Sequence, residues 1–198
     1  QEGVVQRRWK DRWNNPYLMQ ELSTTGYDRT QAMSKVQLNW EIFDNFNFIA
    51  SYMRSSSNQR VEAKKPYNTV NATYGGYDIQ SSSNREENWE GRLTYTKTLT
   101  DFDLLVNVGG NLRDNVKENI RNSTTNLVIP GYYNIANGGP GSVVYNNFFS
   151  QKKVNSLFGQ TSLGYKNTVY LDVTARNDWS STLPKDNRSY FYPSASLS

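Results

Sequence analysis

Apolar and polar residues alternate with period two in three separated stretches of the chain. Over residues 35–42, Val36, Leu38, Trp40 and Ile42 share one face, while Lys35, Gln37, Asn39 and Glu41 share the other. That alternation is the signature of a β-strand with one apolar and one wet face. Asp44 and Asn45 follow, residue types that accept the backbone angles of a tight turn. The chain then returns with Phe46, Phe48, Ala50 and Tyr52 on one face. The same unit recurs twice. Trp89, Leu93, Tyr95 and Leu99 alternate with Glu90, Arg92, Thr94 and Thr96; Thr100-Asp101 turns the chain; Phe102, Leu104, Val106 and Val108 then alternate with Asp103, Asn107 and Asn111. Leu157, Leu163 and Tyr165 lead through Lys166-Asn167 to Val169, Leu171, Val173 and Ala175, with Asp172 and Thr174 opposite. Each unit reads as a β-hairpin closed by a turn of about two residues.

The connections between hairpins are different. They are expected over residues 55–84, 114–150 and 179–188, and they are rich in Asn, Ser, Gly and Tyr. Short turns alternating with long loops is the asymmetry of outer-membrane barrels, with the turns periplasmic and the loops extracellular. Aromatics gather near turns and strand ends (Phe43, Phe46, Trp89, Tyr95, Phe102, Tyr165, Tyr170 and Trp179), as in the girdles that sit at headgroup level. The fold class predicted is therefore all-β: an antiparallel transmembrane β-barrel segment. A membrane strand needs about 9–11 residues, and several of these are expected to run longer and carry the wall above the bilayer.

Composition sharpens this. Of 198 residues, 36% are hydrophobic and 14% aromatic, and mean hydropathy is -0.79. Such a chain is too polar to fill an ordinary core and too aromatic for disorder. A wall one residue thick needs apolar side chains only at alternate positions. With no Cys and no His, disulfides, Cys/His zinc sites, thiol nucleophiles and a Ser-His-Asp triad are ruled out. No apolar run is long enough for a transmembrane helix. The opening Gln1-Glu2-Gly3 without Met reads as a processed or internal start. Net charge is +4, but the basic residues are scattered apart from Arg7, Arg8, Lys10 and Arg12, whereas nucleic-acid binding wants a clustered stripe. No nucleic-acid partner is expected.

The C-terminal third is the most specific part. Val154-Asn155-Ser156-Leu157-Phe158-Gly159 leads through Leu163-Gly164-Tyr165 to the run Ala175-Arg176-Asn177-Asp178-Trp179-Ser180-Ser181-Thr182-Leu183-Pro184, and Ser189-Tyr190-Phe191-Tyr192-Pro193 follows. This closely resembles the barrel of SusC/RagA-type TonB-dependent transporters, large outer-membrane importers of Bacteroidetes. Asn15-Pro16-Tyr17, Gly75-Gly76-Tyr77, Gly109-Gly110-Asn111 and Ile129-Pro130-Gly131 appear in the expected order, so the resemblance covers nearly the whole chain. It implies a barrel of about 22 strands around an N-terminal plug, preceded by a segment that contacts TonB. Six strands and the beginning of a seventh at Ser189 are counted here. Residues 1–198 are thus expected to be part of the barrel domain of a longer polypeptide, without the plug or the TonB-contacting segment. An open edge in lipid leaves backbone groups unpaired, each costing several kcal/mol.

Import of oligosaccharides or peptides is what the resemblance implies. The partners it implies are a SusD-like lipoprotein over the extracellular loops, TonB through the absent N-terminal part, outer-membrane lipid and lipopolysaccharide, and a glycan or peptide cargo. It also allows a dimer of transporter–lipoprotein pairs. No cofactor, no metal and no catalytic residue is expected. Candidate cargo contacts are Tyr67, Tyr74, Tyr77 and Asp78 in one loop and Tyr132, Tyr133, Asn134 and Tyr145 in another, with packing of the loops against each other as the alternative. Arg176, Asn177, Asp178, Trp179, Tyr192 and Pro193 are read as structural residues of the family motif, with Arg176 and Asp178 on one strand face. Arg7-Arg8-Trp9-Lys10-Asp11-Arg12-Trp13 is a candidate for lipopolysaccharide phosphates or the lipoprotein, against a plain solvated loop. Glu86-Glu87 and Asp101/Asp103 are rejected as glycosidase acids, because that chemistry needs carboxylates at a set distance across a cleft. Gly138-Gly139-Pro140-Gly141 lacks the Lys-Ser/Thr of a phosphate loop. Two rival readings share many of these features: a passive porin or structural barrel, and a soluble carbohydrate-binding β-sandwich.

Overall fold

The computed structural model describes residues 13–198. A short helix, α1 (Pro16–Leu22), precedes seven strands: β1 (Thr25–Phe43), β2 (Phe46–Lys65), β3 (Gly76–Thr98), β4 (Phe102–Thr124), β5 (Val143–Tyr165), β6 (Val169–Ser180) and β7 (Ser189–Leu197). Single 3-10 turns lie at Ile135–Asn137 and Lys185–Asn187. The strands form one antiparallel sheet in chain order, β1 to β7. Among the described residues no helix is long and apolar enough to cross a membrane.

All three turns fall where the alternation breaks. Asn45 takes φ 71°. Leu99 and Phe102 exchange backbone hydrogen bonds across Thr100-Asp101, at 2.7 and 3.3 Å. Lys166 and Asn167 have φ 49° and 52°, and the Thr168 N–H donates to the Tyr165 carbonyl at 3.0 Å. Two consecutive positive φ values make a type I′ turn, whose twist matches the flanking strands.

The long connections are shorter than the sequence pattern suggests. They span 66–75, 125–142 and 181–188 rather than 55–84, 114–150 and 179–188. The strands take up the difference, reaching 23 residues in β3, β4 and β5. Segments such as Ser55-Ser56-Ser57-Asn58-Gln59 and Ser81-Ser82-Ser83-Asn84 are polar on both faces, so they show no period-two signal. They remain strand because the backbone ladder, not side-chain polarity, holds a two-sided wet sheet together. Helix α1 was not expected either. Its signal is local: Asn15 caps it by accepting from the Tyr17 N–H at 3.0 Å, and Pro16 stands in the first turn, an arrangement preorganised for helix entry. The seventh strand runs over Ser189–Leu197, paired from Trp179↔Ser189 to Leu171↔Leu197 with β6.

The chain divides into two compact units. One comprises residues up to Gln31, Ser57–Asn84 and Lys117–Ser150; the other comprises Ala32–Ser56, Arg85–Val116 and Gln151–Ser198. The second holds all three tight turns and every residue of the alternating stretches. Its apolar face is open: Val36, Leu38 and Trp40 are 70, 56 and 57% exposed, and Val108, Leu157 and Val173 are exposed as well. Ring pairs mark cross-strand neighbours on that face, Phe46–Tyr95 at 4.5 Å, Tyr52–Trp89 at 4.1 Å and Phe102–Tyr165 at 4.9 Å. The opposite face of β3 and β4 carries hydrogen-bonded amides and hydroxyls, Thr94–Asn107 and Asn111–Asn88 at 2.6 Å and Asn115–Glu86 at 3.4 Å. A soluble sheet buries its apolar face. This one leaves it exposed.

The first unit contains the loops 66–75 and 125–142 and its own small core. Leu127 is 1% exposed, and its N–H donates to the Tyr74 carbonyl at 3.0 Å. Asn137 accepts from the Ile129 N–H and donates to the Ile129 and Tyr132 carbonyls. Thr124 and Ser142 share a hydroxyl hydrogen bond at 2.8 Å. Gly75 takes φ +68°, and a Cβ there would meet the Lys65 carbonyl at 3.1 Å and Leu127 at 3.3 Å. The chain can turn and close on Leu127 only without a side chain at that point.

Candidate functional site

Of the eight residues proposed for cargo, all expected in loops, Tyr77 and Asp78 stand on β3 and Tyr145 on β5, because those strands run further than the alternation shows; the structure joins six of the eight to neighbours in the first unit. Tyr67 and Tyr74 meet edge to face at 5.9 Å, and Tyr77 and Tyr133 stack at a tilt, 6.4 Å apart. Lys64 places its Nζ 5.7 Å from the centroid of Tyr133. Asp78 forms a forked ion pair with Arg121, with Nε at 3.2 and 2.9 Å from the two carboxylate oxygens. This pair holds the Arg121 guanidinium even more firmly protonated than usual, chiefly through the hydrogen bond to Asp78. Burial pushes the Tyr133 phenol above its ordinary range. Burial does the same to Tyr77, reinforced by the Glu62 carboxylate and offset by Arg60. Asn134 is structural, because its side chain accepts from the Ala136 N–H at 2.9 Å and starts the 3-10 turn. Tyr132 and Tyr145 keep their rings open, 54 and 73% exposed. Tyr77 is buried, so its ring serves packing.

A polar groove in the same unit escaped the sequence reading. Arg29, Ser57, Gln59, Ser82, Ser83, Asn84, Lys117, Glu118, Asn119 and Phe148 line a space of about 320 Å³. Within it, Arg29 donates to Ser57 at 3.2 Å and Asn119 to Ser82 at 3.0 Å. No polarity signal marks it, because these stretches are polar on both faces, and only strand register brings its members together. Ser57 and Gln59, Ser82 and Asn84, and Lys117 and Asn119 occupy alternate positions of three strands. In the second unit, Asn39, Glu41, Asn47, Arg92, Thr94 and Asn107 contribute to a larger open recess of about 630 Å³. There Arg92 Nε is buried and has no hydrogen-bond partner among the described residues.

The motif residues form a cluster. Arg176 Nε donates to Asp178 Oδ1 at 2.8 Å, Nη2 donates to Ser156 Oγ at 2.9 Å, and the guanidinium lies 5.9 Å from the Phe158 ring centroid. Phe158 and Tyr192 are the cross-strand partners of Arg176 on either side. Asn177 Nδ2 donates to Ser189 Oγ at 2.9 Å, and Pro193 pairs with Ala175. The shared face of Arg176 and Asp178 is as alternation required. Arg7, Arg8, Trp9, Lys10, Asp11 and Arg12 lie outside the described residues; Trp13 is exposed. Among the described residues no cluster of His, Cys, Asp and Glu is suited to hold a metal ion.

No protein-family model matches the chain. TonB-dependent receptor P3 of Formosa agariphila is 26% identical over 196 residues, covering 93% of this chain and 19% of that protein. The RagAB peptide transporter matches in fold with a TM-score of 0.83 at 17% identity, covering 93% of this chain and 21% of that one. The RagAB peptide importer in its closed-closed state matches with a TM-score of 0.82 at 17% identity. The chain thus spans about a fifth of the length of the proteins it matches. These are a receptor and a transporter rather than enzymes, in line with the absence of catalytic chemistry from the sequence pattern. In sequence the chain resembles a TonB-dependent receptor, and in fold it is similar to RagAB.

Proposed function

We infer that the chain is part of the wall and extracellular loops of an outer-membrane, TonB-dependent importer. The observation that carries this is the open apolar face of the second unit, backed by a hydrogen-bonded polar face on the same strands. Hydrocarbon covers the first face and a wet lumen meets the second. The cargo is an oligosaccharide or a peptide. Both classes present hydrogen-bonding groups along an extended chain, and the groove lined by Arg29, Ser57, Gln59, Ser82, Asn84, Lys117 and Asn119 offers matching amides, hydroxyls and cations. The exposed rings of Tyr132 and Tyr145 add stacking surfaces. Tyr67, Tyr74, Tyr77, Asp78, Tyr133 and Asn134 serve by holding the loops in shape, and Arg176, Asn177, Asp178, Trp179, Tyr192 and Pro193 by fixing β5, β6 and β7 to one another. A SusD-like lipoprotein over the loops, and TonB acting through residues outside this chain, complete the assembly. Residues 1–198 belong wholly to the barrel domain.

The test uses the full polypeptide. Uptake of candidate oligosaccharides and peptides is measured in cells with and without TonB, and loss of uptake without TonB is the expected result. Equal uptake in both would favour a passive porin. A soluble monomer that refolds without detergent and melts cooperatively would favour the β-sandwich instead.

A further inference from the structure

On the lipid-facing side of the second unit, the apolar band ends in a row of charge. Above the Phe46–Tyr95 and Tyr52–Trp89 ring pairs, the next residues outward on the same face are Arg54 and Glu87, 3.6 Å apart. Arg85 approaches the same Glu87 oxygen at 3.9 Å. On β4 the face runs Phe102, Leu104, Val106, Val108, Gly110 and Leu112 and then meets Asp114. Asp114 receives Lys153 at 3.6 Å and Gln151 at 2.9 and 3.0 Å from β5. Counting equally from Leu99 and Phe102, which close their hairpin, sets Glu87 level with Asp114. Arg54, Glu87, Asp114 and Lys153 therefore form one transverse row over four strands, directly above Tyr52, Trp89 and Leu112.

The outer members of the row are cations and the inner ones acids. None of the ion pairs is tight, and the Arg54, Arg85 and Lys153 side chains are about half exposed. Exposed ion pairs of this length contribute little to stability, so stability does not account for them. Their place does: it is one strand step beyond the girdle aromatics, where acyl chains give way to head groups. Arg presents a fork matched to phosphate oxygens, and Lys a point charge.

We propose that Arg54, Arg85 and Lys153 bind the phosphomonoester head groups of the surrounding lipid and so set the depth of the barrel in the membrane. Glu87 and Asp114 hold the three cations in line. This rests on the apolar face being lipid-covered, and the test separates the two claims. The full-length protein is prepared in detergent and loaded with phosphatidic acid or with diacylglycerol of the same acyl chains, and lipid retention is followed by native mass spectrometry. Retention of phosphatidic acid over diacylglycerol is expected. The triple variant Arg54→Gln, Arg85→Gln, Lys153→Gln should retain it roughly tenfold more weakly, while Arg29→Gln retains it fully. Equal retention of the two lipids by the unaltered protein overturns the proposal without recourse to any variant. Unchanged retention by the triple variant, or full displacement of the lipid by millimolar inorganic phosphate, also overturns it. In parallel, quenching by brominated acyl chains is measured with and without Trp89→Phe. A Trp89 component with no headgroup preference sinks the charged row alone; no Trp89 component sinks the lipid-facing reading beneath it.

Discussion

Gly109 is the position where a single methyl group should do the most damage. A Cβ built there would lie 2.6 Å from Phe158 Cζ and 2.7 Å from the Gly91 carbonyl oxygen. The ring can rotate away, but the carbonyl belongs to the backbone of β3 and can move only if the strand moves. Overpacking of this kind typically costs about 1–3 kcal/mol, and the backbone clash places Gly109→Ala in the upper half of that range. Gly159→Ala is the control, because its Cβ would meet only the Asn107 carbonyl at an ordinary 3.8 Å. Adding Phe158→Ala to Gly109→Ala should recover only the ring's share of the loss. The assay is urea unfolding of the full-length barrel in detergent or vesicles, followed by Trp fluorescence. If Gly109→Ala and Gly159→Ala unfold at the same midpoint, the claim that β3 and β4 approach through a side-chain-free position is wrong.

Three further outcomes follow from the two units taken separately. Val108→Arg, on the lipid-facing side of β4, should cost about 2–4 kcal/mol of insertion, whereas Asn107→Arg, on the opposite face, loses chiefly its hydrogen bond with Thr94, about 1 kcal/mol; equal costs in a vesicle-folding titration would contradict the assignment of faces. Leu127→Ala empties the small core of the first unit at about 2–5 kcal/mol. Its effect should appear as faster hydrogen exchange at the Leu127, Val128 and Gly139 amides, which donate to Tyr74, Asn137 and Asn126, and unchanged exchange would remove the loop core from the account. The Tyr133 phenol is raised by burial, so the packing of its neutral ring is fully present below pH about 10 and is lost as pH rises through the raised value. Difference absorbance between the parent and Tyr133→Phe should therefore show one tyrosine ionising above the ordinary range, and a midpoint at the ordinary value would refute its burial.

The sequence determined the hairpins. Where one face meets hydrocarbon and the other water, each residue's polarity is dictated by its parity, so Val36 to Ile42, Phe102 to Val108 and Val169 to Ala175 announce themselves. Turn chemistry is equally local: Asn45, Lys166 and Asn167 take positive φ where the alternation stops. The pairing of Arg176 with Asp178 also followed from parity. What only the tertiary structure decided begins where both faces become wet. Ser55 to Gln59 and Ser81 to Asn84 carry no polarity difference between faces, so their strand state depends on ladders to strands far away in sequence. For the same reason the groove of Arg29, Ser57 and Lys117 was invisible, because its members share a site only through register. The loop residues show the other side of this. Nothing in the order of Tyr67, Tyr74, Tyr77 and Tyr133 says which rings will pack and which, like Tyr132 and Tyr145, will stay open. That choice is made by Leu127 and Asn137, whose burial exists only once two loops close on each other.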